Sequence, residues 1–203
     1  MSRLATSFVL GYHGCDRSIA VRAINGEIDL LHSNNDYDWL GPGIYFWESD
    51  PQRALEWAED AKKRGKLTHP AVVGAVIDLR NCLDLVAREN LDILTDAHHS
   101  FLKAQRDAGL EPPKNHRLKG RADPDQMMRY LDCAVIRHLH SILDSQPSEG
   151  RVIEPFDTVR GMFPEGTPIY PTSGFRQKNH VQIAARDKAC VLGLFFPRTE
   201  LFA

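Results

Sequence analysis

The sequence predicts an α+β fold in which strand-rich beginning and end regions flank a helical middle. Short apolar runs broken by turns precede residue 80, two amphipathic helical patterns fill about 87–146, and β-type segments return from residue 152. The chain has 203 residues, so we expect a single domain over 1–203 with a helical insertion at about 87–146.

Composition and charge narrow the class of protein. Hydrophobic residues make up 42% and charged residues 26%, which indicates a packed core rather than disorder. The net charge of −2 does not favour a globally basic nucleic-acid binder. No stretch approaches the length of a membrane span, and the N-terminus lacks the apolar region of a signal peptide. We therefore expect a cytoplasmic protein without a membrane partner.

Turn and cap signals define the elements of the first third of the chain. SFVLGYHG predicts a strand, and a helical pattern follows from Arg17 to Ile24. Ile44 to Trp47 predicts a short strand, and Asp50-Pro51 predicts the start of a helix that runs to about residue 64. The valine-rich residues 71–79 predict a buried strand.

The remaining elements follow from periodicity and from proline and glycine. Helical patterns cover roughly 88–108 and 124–145. Four further segments predict strands joined by hairpins: VIEPFDTVRGMF, TPIY, HVQIAARD and ACVLGLFFP.

Three short constellations could carry chemistry. His13 and Gly14 end the first strand, where an imidazole can meet a ligand hydroxyl and glycine permits a close backbone approach. Tyr45 and Trp57 follow a Gly-Pro-Gly turn and could face each other across a gap. A polar loop, PTSGFRQKN, leads into a strand that carries Gln182. Taken singly, each is also compatible with ordinary core or hairpin structure.

In this order the three constellations resemble the ADP-ribosyltransferase superfamily, in the H-Y-E branch typified by diphtheria toxin and the poly(ADP-ribose) polymerase catalytic domain. The matching segments are YHG, GPGIYFWESDPQRALEWA and NHVQIAARDKACVLG. They match closely over about a fifth of the chain. The resemblance implies a split β-sandwich that holds NAD between two sheets.

The same resemblance implies roles for the site residues. His13 would bond a ribose hydroxyl and Gly14 the nicotinamide amide, while Tyr45 and Trp57 would stack on the nicotinamide ring. These residues form the cofactor-binding set together with Gly43 and with Arg160, which could line the pyrophosphate pocket or form an ion pair. A flat cationic ring is attracted by aromatic faces. The catalytic set is His13, Tyr45 and Gln182, and Phe175 and Arg176 would recognise the acceptor.

Gln182 departs from the family pattern, in which this position is glutamate. An amide keeps a hydrogen bond but supplies neither a full charge nor a general base. Glu165 is the nearest carboxylate in sequence that could substitute. Polymer formation is therefore disfavoured, whereas transfer of a single ADP-ribose is retained.

The sequence thus predicts an NAD-dependent mono-ADP-ribosyltransferase of bacterial type, acting on a protein or nucleic-acid acceptor as a toxin or defence effector. Two alternatives stay open: an inactive module that binds NAD or ADP-ribose, and an NAD glycohydrolase. Whether the protein has an antitoxin partner is a further question that the sequence leaves open. No metal is expected, because His98 and His99, or His138 and His140, do not share a helix face.

Overall fold

The computed structural model describes residues 8–117, 127–147 and 152–198, and this part of the chain contains seven strands and four α-helices. The strands are β1 (Phe8–Asp16), β2 (Ile44–Glu48), β3 (Pro70–Asp78), β4 (Cys82–Asp84), β5 (Thr158–Phe163), β6 (His180–Ala185) and β7 (Val191–Phe195). The helices are α1 (Arg17–Ile24), α2 (Pro51–Lys63), α3 (Arg88–Asp107) and α4 (Tyr130–Ser145). The protein is therefore a mixed α+β protein.

The seven strands form one hydrogen-bonded sheet in the order β4-β5-β6-β2-β1-β3-β7. Neighbouring strands are antiparallel apart from β4 and β5, which are parallel. The two strands that carry the first and second constellations, β1 and β2, are therefore neighbours in the centre of the sheet. The strand that carries Gln182, β6, pairs with the other edge of β2.

Helices cover both faces of the sheet. On one face, which we call the α1 face, small side chains of α1 pack on an aliphatic core that includes Phe46, Ile77 and Ile183. On the other, the α2–α4 face, α3 and α4 pack over Leu83 and Val159, and α2 packs beside them over Tyr12 and Trp47. Side chains alternate between the two faces along each strand.

Local signals account for the first helices. Asp16 and Asp50 cap α1 and α2, since their carboxylates accept hydrogen bonds from the Ser18 and Arg53 amides. Pro51 occupies the first turn of α2, where a missing N–H leaves no helical bond unmade. The predicted boundaries of α1, β2 and α2 are confirmed to within one residue.

The sequence analysis misjudged two elements and missed one strand. α4 begins at Tyr130 rather than near residue 124, because Met128 pairs with His116 in an isolated bridge and Asn115 accepts the Leu131 amide. TPIY (167–170) is not a regular strand but one arm of an irregular hairpin loop. The strand β4, only three residues long, was not predicted. None of the helices in the described ranges has the length and apolarity needed to cross a bilayer.

Candidate functional site: a gap between two central strands

The pairing between β1 and β2 is unusually short. β1 pairs with β3 at nine positions from Phe8 to Asp16, but it pairs with β2 only at Gly11 and Tyr12. Beyond Tyr12 the two strands diverge, and the imidazole of His13 takes the place of backbone pairing. Its Nδ1 lies 2.8 Å from the Tyr45 carbonyl oxygen. A gap therefore opens in the sheet between the first two constellations.

The protonation state of His13 follows from this contact. A carbonyl oxygen only accepts, so Nδ1 carries the proton and donates it to Tyr45. Burial lowers the pKa of His13, more than the hydrogen bond to Tyr45 raises it, so the ring is neutral at pH 7. The Nε2 atom of this tautomer has a lone pair, which can accept a hydrogen bond from a ligand hydroxyl.

Gly14 lies in the gap with its backbone directed at β2. The Leu10 carbonyl accepts from the Ser49 amide beyond β2, and backbone groups alternate between a strand's two neighbours, so Gly14 also faces this side. A Cβ atom on Gly14 would lie 2.4 Å from the Ala54 carbonyl oxygen and 3.1 Å from Trp57 Cε3. Glycine is required because α2 packs directly on this point of β1.

Tyr45 is held rigidly on the α2–α4 face. Its hydroxyl donates to the Gly41 carbonyl (2.8 Å) and accepts from the Leu40 amide (3.0 Å). Burial raises the pKa of the phenol, so it is neutral at all physiological pH values. The turn that precedes β2 thus orients the Tyr45 ring before any ligand arrives.

A continuous row of rings follows the α2–α4 face, and we call it the aromatic layer. Its members are Trp39, Phe163, His180, Trp47 and Trp57, with successive centroid distances of 5.1, 5.6, 6.3 and 6.1 Å. Two guanidinium groups lie over it, Arg53 at 5.6 Å from the Trp47 ring and Arg129 at 4.9 Å from the Phe163 ring. Trp57, with 38% of its surface exposed, forms the accessible end.

Gln182 lies in the middle of this layer. It pairs across strands with Trp47 and Gly161, and its Oε1 accepts from the indole N–H of Trp39 at 2.6 Å. An indole nitrogen can only donate, which fixes the orientation of the amide. The Nε2 end of Gln182 is consequently a hydrogen-bond donor.

Glu165 lies beside His180, the middle ring of the same layer, and its carboxylate is already paired. Both of its oxygens accept from Arg53 Nη2, at 2.9 and 2.7 Å, and one lies 3.8 Å from His180 Nδ1. The carboxylate is buried. A buried carboxylate held by a guanidinium contributes positioning rather than a free base.

Arg160 and Gly43 have structural partners. Arg160 alternates with Val159 and Gly161, so it lies on the α1 face, where it binds Glu48 and Asp84. This is the ion pair that the sequence left open. A Cβ atom on Gly43 would lie 3.0 Å from the Ala185 carbonyl oxygen, so Gly43 permits close packing on β6.

The two residues expected to recognise an acceptor lie in the loop between β5 and β6. Phe175 is 64% exposed near its tip, while Arg176 donates to the Gly166 carbonyl at 3.0 Å. Phe175 is therefore available to a partner, and Arg176 helps to shape the loop.

The structure thus brings Tyr45, Trp57 and Gln182 to one face and leaves the side chain of His13 on the other, where it reaches into the gap. Trp57 has Trp47 as its ring neighbour, whereas Tyr45 packs against the cluster under α3 and α4. Comparisons with protein-family models, curated proteins and solved structures find no match to this chain. The geometry of the site is accordingly the basis for assigning a function.

Sequence reasoning missed six members of the site: Trp39, Trp47, Phe163, His180, Arg53 and Arg129. Two of them carried a usable signal, because Trp47 follows Tyr45 by two residues and His180 precedes Gln182 by two residues, each on one strand and therefore on a shared face. Trp39 lies in an irregular loop, and its contact with Gln182 spans 143 residues of sequence. No local pattern could predict that contact.

Proposed function

We propose that the protein is an NAD-dependent mono-ADP-ribosyltransferase. The observation that carries the proposal is the gap between β1 and β2, bordered by His13 and Gly14 and adjoining Tyr45 and the aromatic layer. The gap divides the sheet into a β4-β5-β6-β2 half and a β1-β3-β7 half, joined at two residue pairs. The structure has one sheet rather than two, and the short junction between its halves supports the proposal of the split β-sandwich that the resemblance implies.

The residues along the gap suit the two ends of NAD. Nε2 of His13 accepts a hydrogen bond from a ribose hydroxyl, and the backbone of Gly14 is directed at the cleft. Trp57, the exposed end of the aromatic layer, offers a flat, electron-rich face to the nicotinamide cation, and the half-buried Tyr45 ring borders the gap. A dinucleotide lying through the gap would therefore contact both faces of the sheet.

Transfer on this site breaks the bond between nicotinamide and the ribose anomeric carbon, whose electron pair leaves with nicotinamide. The ribose acquires oxocarbenium character, as in glycoside hydrolysis. A nucleophilic atom of the acceptor bonds the same carbon and loses its proton. Phe175 in the exposed loop is the residue of this chain that we expect to contact the acceptor.

Gln182 supports a second candidate function, that of a module that binds NAD or ADP-ribose without turnover. Its oxygen is taken by Trp39, and its exposed donor does not stabilise positive charge on the ribose. Under this alternative the gap and the aromatic layer bind the dinucleotide, and the missing carboxylate explains the absence of chemistry.

The first experiment distinguishes these two functions. Purified protein is titrated with NAD by calorimetry, and a cell lysate with labelled NAD is assayed for nicotinamide release and for label, with protease and nuclease treatment of the product. Transferase activity predicts binding, release and label, all lost in Tyr45→Ala and His13→Ala but retained in the exposed-residue control Tyr37→Ala. Binding without release supports the module, and no binding contradicts both.

The second experiment restores the carboxylate. Gln182→Glu keeps an acceptor for Trp39 and adds a free, charged oxygen, so we expect nicotinamide release to rise by about tenfold or more, as for other groups that stabilise transition-state charge. Gln105→Glu, on α3, makes the same change of charge outside the site. Equal rates in the wild type and Gln182→Glu would mean that β6 is not directed at the ribose.

A further inference from the structure

A second polar cavity lies beside the turn that holds the Tyr45 phenol. Its volume is about 310 Å³, and its walls come from the chain before β2, from α4 and from the residue that follows β6. Its polar lining side chains are His32, Arg137, His140, Ser141, Asp144 and Arg186. None of these belongs to the aromatic layer or to the gap.

The most informative of these residues is His140. Only 4% of its surface is exposed, and neither ring nitrogen has a hydrogen-bond partner among the described residues. Burial, and after it the charge of Arg186, lowers the pKa of His140 to about 3, against a smaller opposing effect of Asp144. The ring is therefore neutral, with one N–H donor and one acceptor nitrogen, and leaving such buried polar atoms unpaired is unfavourable.

Two guanidinium groups flank the ring and are held by backbone carbonyls. Arg137 donates through Nη2 to the carbonyls of Asn34 and Asn35, and its Nε is buried with no partner in the described part of the chain. Arg186 donates through Nη1 to the Phe156 carbonyl at 2.6 Å. Positioned donors of this kind bind oxyanions with little loss of side-chain entropy.

The existing carboxylates leave these cations incompletely neutralised. Asp36 lies 3.5 Å from Arg137 but its side chain is 81% exposed, so water screens the pair. Asp144 lies 2.7 Å from Arg186 and its side chain is 48% exposed. The donors that lack partners, on His140 and Arg137, are not directed at either carboxylate.

We propose that this cavity binds a phosphoryl group. Side chains with donors line it from α4, from Arg186 after β6 and, through His32, from the chain before β2, which suits the several terminal oxygens of a tetrahedral phosphate better than the two coplanar oxygens of a carboxylate. A protonated phosphate oxygen can also donate to the acceptor nitrogen of His140, and Ser141 adds a hydroxyl at the rim. This inference does not rest on the proposed NAD chemistry.

The main test measures binding of inorganic phosphate by calorimetry and by thermal unfolding, with chloride at equal ionic strength as the reference. We expect saturable binding at one site in the wild type and its loss in His140→Leu. That variant removes two unpaired polar atoms, so its stability without phosphate should equal or exceed that of the wild type. His138→Leu, whose ring contacts Ser100 on α3, is the matched control and should bind as the wild type does.

Two further variants at the exposed rim test the electrostatics with opposite signs. Ser141→Asp brings a negative charge to the mouth and should weaken phosphate binding about tenfold, a change of ~1.4 kcal/mol. Asp144→Asn keeps an acceptor for Arg186 but removes the competing charge, so it should strengthen binding. A nucleoside 5′-monophosphate that binds more tightly than phosphate would assign the group to a nucleotide, and one that does not would assign it to free phosphate. The proposal is overturned if neither binds saturably or if His140→Leu binds as tightly as the wild type.

Discussion

The two edges of β1 are joined to their neighbours in different ways. Along the β3 edge the backbone is paired at nine positions, whereas along the β2 edge it is paired at two, after which a histidine side chain bridges the strands. A sheet normally satisfies its backbone groups continuously. The difference shows that continuous backbone pairing holds the β3 edge, whereas a side chain takes over part of this role along the β2 edge.

The largest expected effect on stability comes from adding a methyl group at Gly14, on the edge of β1 that faces β2. In Gly14→Ala the new methyl group meets the Ala54 carbonyl of α2, which is backbone and cannot rotate away. We expect the free energy of unfolding to fall by about 1–3 kcal/mol, as for other overpacked sites, measured by urea denaturation. Gly193→Ala on β7 is the control, since a Cβ there meets nothing within 4 Å. Equal stability of the two variants would show that α2 does not press on β1.

An intermediate effect on stability is expected from removing the hydroxyl group that holds the Tyr45 ring. Tyr45→Phe removes the partner of the Leu40 amide and of the Gly41 carbonyl, so the free energy of unfolding should fall by about 1–2 kcal/mol. Tyr170→Phe, in the exposed loop after β5, removes a hydroxyl from a 56% exposed side chain and should change stability little. If Tyr45→Phe were as stable as the wild type, the turn would not orient this ring.

The smallest effect concerns pH and the bridging histidine. The pKa of His13 in the folded state lies below its ordinary value of 6.5, so below pH 6.5 the unfolded chain binds more protons. The contribution of His13 to stability is therefore complete above pH 6.5 and declines as the pH falls towards the folded pKa. His13→Asn places an amide N–H near the Tyr45 carbonyl without titrating.

Urea midpoints at pH 7.5 and pH 5.5 test this prediction. The loss of stability between the two values should be smaller in His13→Asn than in the wild type. Burial also lowers the pKa of His180 and His140, so both proteins keep a residual dependence on pH. Identical pH dependence in the two proteins would mean that His13 titrates as it does in water.

Several elements could be read from the sequence because their signals are local. Helical periodicity predicted α1, and Asp50-Pro51 predicted the start of α2; in the structure Asp16 and Asp50 cap these two helices. The start of α4 was misplaced because a bridge between His116 and Met128 competes with the helical pattern. The three-residue strand β4 was missed since its pairing with β5 depends on residues about 75 positions away.

The residues of the candidate site likewise differ in whether local sequence signals could predict their state. His13, Tyr45 and Gln182 were predicted as site residues because of their order along the chain, and their roles stay predictions. The orientation of Gln182 depends on its hydrogen bond from Trp39, and Glu165 is paired with Arg53; both contacts link distant parts of the sequence. Sequence alone therefore named the groups but could not give their hydrogen-bonding state.

By itself the sequence determined the α+β class, the first two helices, the short strand that carries Tyr45 and the positions of the motif residues. These depend on caps, turns and side-chain alternation, which act over a few residues. Only the tertiary structure decided that β1 and β2 separate after Tyr12, that five rings form one layer around Gln182 and that His140 borders a polar cavity. The physical reason is that strand pairing, ring packing and the burial of polar atoms are set by contacts between segments far apart in the chain.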